Sequence, residues 1–197
     1  MTIVLRLREG PERRLTVDQW HNPATSAEIG LLARLSGPVL DLGCGPGRLV
    51  VALAGIGVPA LGIDASPHAV RAAISRGAPA LCRSVFDPLP AEGRWRSVLL
   101  LDGNIGIGGD PVALLRRTRQ LMIDTGTALV EVDPPGGSTA ATTARIERDG
   151  SRTAWFPWAS VAAGHFDALA SRAGFRRVRW DRIDTRWFAT IQPLGTT

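Results

Sequence analysis

Continuous runs of apolar residues alternate along the chain with segments of helical periodicity. We interpret the runs as strands of a parallel sheet, because strands that are buried on both faces lack the alternation of half-buried strands. Five strands are predicted in this way, at residues 38–42, 58–63, 80–85, 96–101 and 127–132. Helices are predicted between them at 48–54, 66–76 and 110–122. This order indicates an α/β fold with helices on both faces of the sheet.

The C-terminal quarter of the chain has a different pattern. A helix is predicted at 160–173 and ends before Gly174, and two strands follow at 175–180 and 186–191. The short connection at Asp184 favours an antiparallel hairpin over another crossover. The prediction is therefore a Rossmann-like, mostly parallel seven-stranded sheet with an antiparallel edge strand.

Two further hairpins are predicted outside this sheet. One joins residues 3–8 to 13–17, and the other joins 142–148 to 151–156 through Asp149 and Gly150, a pair that favours a type I′ turn. The second hairpin follows the fifth strand, on the side of the sheet where open α/β folds bind ligands. We divide one domain, 1–197, into an N-terminal hairpin and helix, a core, a hairpin insertion, and a C-terminal helix with the final strands: 1–34, 35–132, 133–158 and 159–197.

Composition limits the functional classes. A chain of 197 residues with 45% hydrophobic content suits one buried core. The net charge is +5, yet every basic side chain is arginine and the arginines are dispersed, which indicates codon bias rather than a nucleic-acid surface. No apolar run approaches the ~20 residues that a membrane helix needs. Two cysteines without a C-x-x-C pair predict neither a metal site nor a disulfide framework, and we expect a cytoplasmic protein.

The strongest motif is the glycine-rich loop at 41–47, which lies between a predicted strand and a predicted helix. Arg48 occupies the position of the third glycine of a dinucleotide fingerprint, and a chain without lysine cannot carry a phosphate-binding P-loop. Asp41 would repel a pyrophosphate but suits a cation, while Asp64 at the end of the second strand is placed to accept ribose hydroxyl protons. S-adenosylmethionine has a ribose, an ammonium group, a sulfonium and no phosphate, and it fits both carboxylates.

At these residues the sequence resembles the class I S-adenosylmethionine-dependent methyltransferases. The matching segments are 39–47, 62–67, 85–87 and 101–104, and the resemblance covers about residues 35–192. The run 102–111 is similar to small actinobacterial-type members of unknown substrate. The resemblance implies a methyltransferase with S-adenosyl-L-methionine as cofactor and S-adenosyl-L-homocysteine as product.

The resemblance also implies roles for individual residues. The loop would lie against the methionine moiety with Asp41 near its amino group, and Asp64 would hold the ribose. Ala65 would border the adenine, Phe86 would pack on it, and Asp87 would accept from its exocyclic amine. The other residues implied in cofactor binding belong to the loop or line the reacting end: Gly43, Cys44, Gly45, Gly47, Asp102, Gly103, Asn104 and Ile105.

The acceptor is less constrained. His21 is the candidate general base, should the acceptor need one, and Trp20, Trp155 and Trp158 are candidate walls of an apolar acceptor pocket. Many methyltransferases of the resembled family that act on amino groups of nucleobases or glutamine carry an N-P-P-Y-like tetrad after the fourth strand. This chain has none there, so we expect a small-molecule acceptor rather than a nucleic acid. The alternatives are an RNA or other nucleic-acid methyltransferase and a non-catalytic S-adenosylmethionine-binding protein. The sequence does not predict an oligomeric state.

Overall fold

The structure, a computed structural model, describes residues 3–8, 20–148 and 150–195. The strands are β1 (Ile3–Leu7), β2 (Val39–Leu42), β3 (Ala60–Asp64), β4 (Ala80–Cys82), β5 (Trp95–Leu100), β6 (Met122–Val132), β7 (Ala140–Arg148), β8 (Ser151–Arg152), β9 (Phe156–Ser160), β10 (Phe175–Ile183) and β11 (Arg186–Pro193). The α-helices are α1 (Ser26–Leu32), α2 (Arg48–Gly55), α3 (Pro67–Ser75), α4 (Pro111–Leu121) and α5 (Ala163–Arg172).

Seven strands form the main sheet in the order β10-β11-β6-β5-β2-β3-β4. All pairs from β6 to β4 are parallel, and β11 is antiparallel to both of its neighbours. The predicted seven-stranded, mostly parallel sheet is confirmed. The antiparallel strand lies second from the edge, because β10 pairs along its outer side. The strand order reverses at β2, and open α/β sheets bind ligands at such a point.

The continuous apolar runs are explained by burial on both faces of the sheet. Leu40 and Leu100 belong to the cluster beneath α4 and α5, while their neighbours Val39 and Leu99 belong to the cluster beneath α1 and α2. Successive residues of a strand point to opposite faces, so both sets must be apolar. None of the helices in the described ranges is long and apolar enough to cross a membrane.

Several strand boundaries differ from the prediction, among them the end of β4 and the start of β6. β4 ends at Cys82 because a turn follows it, in which the Asp87 carboxylate accepts the Ser84 N–H at 3.0 Å and the Ser84 hydroxyl accepts the Phe86 N–H at 3.2 Å. β6 begins at Met122, directly after α4, and is five residues longer at its start than the pattern predicts.

A second, smaller sheet consists of β1, β7, β8 and β9. The predicted hairpin at 142–156 forms in part, because β7 pairs antiparallel with β8. The second arm is not one strand over 151–156: β8 is only Ser151–Arg152, and β9, Phe156–Ser160, pairs with β7 at 140–144. Of the first predicted hairpin, the strand at 13–17 lies outside the described residues, and β1 pairs with β7. The small sheet packs on the turn that follows β5, where a side chain at Gly106 would overlap the Ala159 carbonyl and the Trp158 indole.

Candidate active site

A cavity of about 890 Å³ lies at the carboxyl ends of β2, β3 and β5 and extends beneath the small sheet. Ligand pockets commonly span about 300–1,000 Å³, so this one has room for a cofactor and a second small molecule. Residues from both sheets and from the segment before α1 line it, among them Trp20, His21, Asp41, Gly43, Cys44, Gly45, Asp64, Ala65, Phe86, Asp102, Asn104 and Trp158.

The loop after β2 is tied to the loop after β5. The Asn104 side chain donates to the carbonyls of Leu42 and Gly43, each at 2.9 Å. Gly43 has φ +77°, and a side chain there would strike the Asn104 amide. Gly47 is the N-cap of α2 and has φ +78°, and a side chain there would strike Ala73 and Ala78 of the neighbouring helix and turn. Glycine at these two positions therefore permits both the turn and the close packing.

Asp64 organises the cavity from the end of β3. Its Oδ2 accepts the Gly45 N–H at 2.9 Å, and its Oδ1 accepts the Ser66 N–H at 2.8 Å. Burial raises the pKa of Asp64, and these two backbone donors oppose the rise. A carboxylate has about four acceptor positions, so Asp64 retains capacity for two ribose hydroxyls.

Asp41 is the most unusual side chain in the cavity lining. It is 1% exposed, and its Oδ2 has no hydrogen-bond partner. Burial, reinforced by the Asp102 carboxylate, raises the pKa of Asp41 from its ordinary 3.8 to about 7, although the Arg48 guanidinium opposes the rise. A buried carboxylate oxygen without a donor is costly, and a cationic ligand would relieve that cost.

Asp102 belongs to a buried network rather than projecting alone into the cavity. Arg48 donates to both of its carboxylate oxygens at 2.9 Å, and Arg186 donates to its Oδ1 at 2.9 Å. Its own N–H donates to the Glu131 carboxylate at 2.7 Å. Asp102 has φ +55°, an uncommon conformation for a residue with a side chain, and these contacts stabilise it.

Glu28 and Glu131 complete this network. Glu28 accepts from Arg48 at 2.9 and 3.0 Å and from Arg186 at 2.6 Å. Glu131 accepts from Arg186 at 2.7 and 2.8 Å. Burial alone would raise the pKa of Glu28, but its hydrogen bonds from Arg48, Thr25 and Arg186 lower it to about 2. We call Glu28, Arg48, Asp102, Glu131 and Arg186 the ionic cluster.

The side of the cavity beneath the small sheet is mostly apolar, and Ser151, Arg152 and Thr153 are its polar part. Its lining includes Trp158 and Phe156, whose rings meet edge to face at 6.0 Å. Leu5, Ile107 and Ile146 continue this wall. Trp155 lies outside the lining, beneath the guanidiniums of Arg8 and Arg145 at 5.6 and 4.7 Å from its ring centre.

His21 lies in the cavity lining next to Trp20. The Arg76 guanidinium lies 3.0 Å from its Nδ1 and donates to its carbonyl at 3.1 Å. Because a guanidinium can only donate, Nδ1 accepts and the ring proton is on Nε2. His165 lies outside the lining and contacts the Thr139 hydroxyl.

The remaining predicted residues divide into two groups. Phe86 is 47% exposed and lies in the lining, where its ring packs against Gly108 so closely that a side chain at Gly108 would overlap it. Asp87 lies outside the lining, since its carboxylate caps the turn after β4. Gly47, Gly103 and Ile105 also lie behind the lining. Among the described residues, no cluster of three or more histidine, cysteine, aspartate or glutamate side chains is placed to hold a metal ion.

The fold is shared with solved methyltransferases. A structure of an S-adenosylmethionine-dependent methyltransferase from Bacteroides fragilis in complex with S-adenosyl-L-homocysteine is 22% identical, with a TM-score of 0.80 over 98% of this chain and 88% of that one. The Streptomyces caelestis methyltransferase CcbJ is 17% identical, with a TM-score of 0.69 over 89% and 92% of the two chains. No model of a protein family matches, and no curated protein sequence does.

A third similar structure is the Burkholderia thailandensis 1,6-didemethyltoxoflavin-N1-methyltransferase, which is 18% identical with a TM-score of 0.67 over 91% of this chain and 82% of that one. This chain has the class I methyltransferase fold. The cavity lies at the carboxyl ends of the central strands of that fold, and the small sheet lines its other side.

Only Asp102 of the ionic cluster was predicted from the sequence as a site residue; Glu28, Arg48, Glu131 and Arg186 were not. In this class I methyltransferase fold they come from α1, the start of α2, β6 and the start of β11, and they converge on Asp102 after β5. Glu28 had one local signal, since Thr25 and Glu28 form a capping box at the start of α1. In the sequence, Arg48 served only to exclude a dinucleotide-binding fingerprint. No sequence motif connects Glu131 with Arg186, which are far apart along the chain.

Proposed function

We propose that this chain is an S-adenosylmethionine-dependent methyltransferase that acts on a small organic acceptor. The observation that carries the proposal is the single continuous cavity. One part of it is lined by the loop after β2 and by Asp41 and Asp64, and the other part is a mostly apolar wall beneath the small sheet. A cofactor and an acceptor held in one cavity would be adjacent, as group transfer requires.

The donors and acceptors at the first part of the cavity fit the cofactor. Asp64 has free acceptor positions for the ribose, and the unpartnered Oδ2 of Asp41 suits the amino group of the methionine moiety. Ala65 and Phe86 would border the adenine, and the loop residues Gly43, Cys44 and Gly45 would lie along the methionine chain. The proposed adenine contact of Asp87 requires its carboxylate to serve the ligand in addition to the Ser84 N–H.

The apolar wall supports a small acceptor. Trp158 and Phe156 present aromatic surface to the cavity, and β1 and β7 close it from above through Leu5 and Ile146. The similar Burkholderia 1,6-didemethyltoxoflavin-N1-methyltransferase was crystallised with 1,6-didemethyltoxoflavin and S-adenosylhomocysteine bound. We infer an acceptor whose body is apolar and flat enough to pack against Trp158.

The protein's part in the reaction would be alignment and exclusion of water. When bound, the cofactor supplies a methyl carbon on a positively charged sulfur, and the sulfur leaves as a neutral thioether. Asn104 fixes the two loops that flank the cofactor region, while the aromatic wall holds the acceptor and keeps water out. Orientation of this kind can lower the activation barrier by about 7–11 kcal/mol.

His21 is proposed as a base only for an acceptor that arrives protonated. His21 lines the cavity, but the ring lone pair that could take a proton is on Nδ1, where it accepts from Arg76. To take a proton, His21 would have to exchange that contact for the acceptor. An acceptor with an available lone pair would need no such step.

Two measurements test the proposal. Isothermal titration calorimetry of the purified chain should detect binding of S-adenosyl-L-homocysteine, and S-adenosylmethionine with a labelled methyl group should label a small molecule in fractionated cell extract. Label in RNA or DNA would contradict the small acceptor. Cofactor binding without label in any fraction would favour a binding protein, and no binding of either ligand would refute the proposed function.

A further inference from the structure

The ionic cluster carries an uncompensated negative charge. Its three carboxylates, Glu28, Asp102 and Glu131, face two guanidiniums, Arg48 and Arg186. Among the described residues, no third guanidinium bonds to these carboxylates. With every group in its ordinary ionised form, the cluster has a net charge of −1.

This charge borders the cavity. Asp102 and Arg48 both line it, and Glu131 lies directly behind Asp102, whose N–H it accepts. Three members of the cluster are removed from water, since Arg48, Glu28 and Glu131 are 7%, 3% and 8% exposed, while the side chains of Asp102 and Arg186 are partly exposed at 23% and 29%. Charges in such surroundings are weakly screened and act on a nearby ligand at several ångströms.

We propose that the ionic cluster determines the preference of the site for the charged cofactor over its neutral product. This inference rests on the proposed function. S-adenosylmethionine and S-adenosyl-L-homocysteine share the adenosine, the ammonium and the carboxylate, and they differ by the methyl group and one positive charge at sulfur. The net charge of the cluster acts on that difference, whereas the contacts to the ribose and the methionine chain are common to both ligands.

Neutralising one carboxylate tests this assignment. Glu131→Gln keeps an oxygen that can accept from Arg186 and from the Asp102 N–H, and it changes the cluster's net charge from −1 to 0. We expect the ratio of the affinity for S-adenosylmethionine to the affinity for S-adenosyl-L-homocysteine to fall by about 3-fold or more, measured by calorimetry with each ligand. Asp102→Asn removes the same charge at the cavity surface and should shift the ratio in the same direction, so the test survives if one variant does not fold.

Two controls separate charge from structure. Arg186→Lys keeps the net charge while it loses the forked contacts, so it should weaken both ligands without changing their ratio. Asp167→Asn makes the matched acid-to-amide change in an exposed ion pair between α5 and Arg177 of β10, outside the cavity lining, and the ratio should stay that of the parent protein.

The outcomes are distinct. A lower ratio in the two neutralised variants, with an unchanged ratio in both controls, supports the assignment. Equal losses of affinity for both ligands in Glu131→Gln and Asp102→Asn would overturn the assignment and show that the cluster has only a structural role. If the parent protein bound neither ligand, the proposed function itself would fail.

Discussion

Arg48 binds Glu28 with a fork of two hydrogen bonds, Nη1 to Oε2 at 3.0 Å and Nη2 to Oε1 at 2.9 Å. This pair joins the first turn of α2 to the first turn of α1, and Arg48 is the residue that directly follows the glycine loop. The same guanidinium reaches Asp102 after β5. One side chain therefore connects three segments that border the cavity.

Arg48→Met should lower the free energy of unfolding by about 3–5 kcal/mol, measured by urea denaturation at neutral pH. The substitution keeps a long side chain in place of Arg48 but leaves Glu28 and Asp102 buried with one guanidinium between them. Burial of a carboxylate without sufficient counter-charge accounts for the loss.

Arg177→Met is the matched control. Arg177 also makes a forked contact, to Asp167, but the carboxylate side chain of that pair is 55% exposed. Exposed pairs contribute about 0–1 kcal/mol, so this variant should remain within about 1 kcal/mol of the parent. Equal losses in the two variants would show that burial does not distinguish the two pairs.

Asp41→Asn should stabilise the ligand-free protein, and the gain should grow with pH. The pKa of Asp41 is about 7 in the folded chain, against an ordinary value of 3.8. Between these values the unfolded chain releases the proton and the folded chain retains it, so the parent loses stability as the pH rises from about 4 to about 7. The variant lacks this loss, and its advantage above pH 7 should be on the order of a few kcal/mol in urea denaturation.

The same substitution should weaken the binding of S-adenosyl-L-homocysteine. In the parent protein, affinity should rise with pH through about 7, because the ligand ammonium favours the ionised Asp41. The variant should bind more weakly and without that dependence. Asp124→Asn, at a residue whose side chain is 79% exposed, should change neither measurement. A pH dependence that persists in Asp41→Asn would assign the titration to another group.

The sheet and the glycine loop were predictable because their signals are local. A strand buried on both faces must be continuously apolar, and the loop's glycines and Asp41 lie within seven residues. The ionic cluster was not predictable, because Glu28 and Arg186 are 158 positions apart, and Arg186 meets Glu131 only when β11 pairs with β6. A lone arginine at the start of a strand has no pattern that identifies a buried partner.

The two tryptophans of the hairpin show the same limit. Trp155 and Trp158 are three positions apart, and both were predicted from the sequence as walls of the acceptor pocket. β9 begins at Phe156, so Trp158 lies in the strand, pairs with Thr142 and reaches the cavity. Trp155 precedes the strand and meets arginine side chains.

Trp158→Ala should therefore impair use of the acceptor more than cofactor binding. Loss of the indole removes the largest aromatic surface of the apolar wall, so transfer of labelled methyl into the responsive extract fraction should fall by at least about 10-fold at low acceptor concentration. Affinity for S-adenosyl-L-homocysteine should change much less. Trp155→Ala, three residues away on the same hairpin, is the control and should keep most of the transfer. The reverse order of the two variants would reject the proposed acceptor wall.

Asp64→Ala should reduce the affinity for S-adenosyl-L-homocysteine by on the order of 100-fold, measured by calorimetry, because two hydrogen bonds from ribose hydroxyls to a carboxylate are lost. Asp64 also fixes the Gly45 N–H, so the loss has a second conceivable origin in a displaced loop. A ligand lacking the 2′ and 3′ hydroxyls distinguishes the two. The parent protein should bind this analogue far more weakly than the natural ligand, whereas Asp64→Ala should bind the two about equally. If the variant still preferred the natural ligand as strongly as the parent does, Asp64 would act on the loop and another residue would hold the ribose.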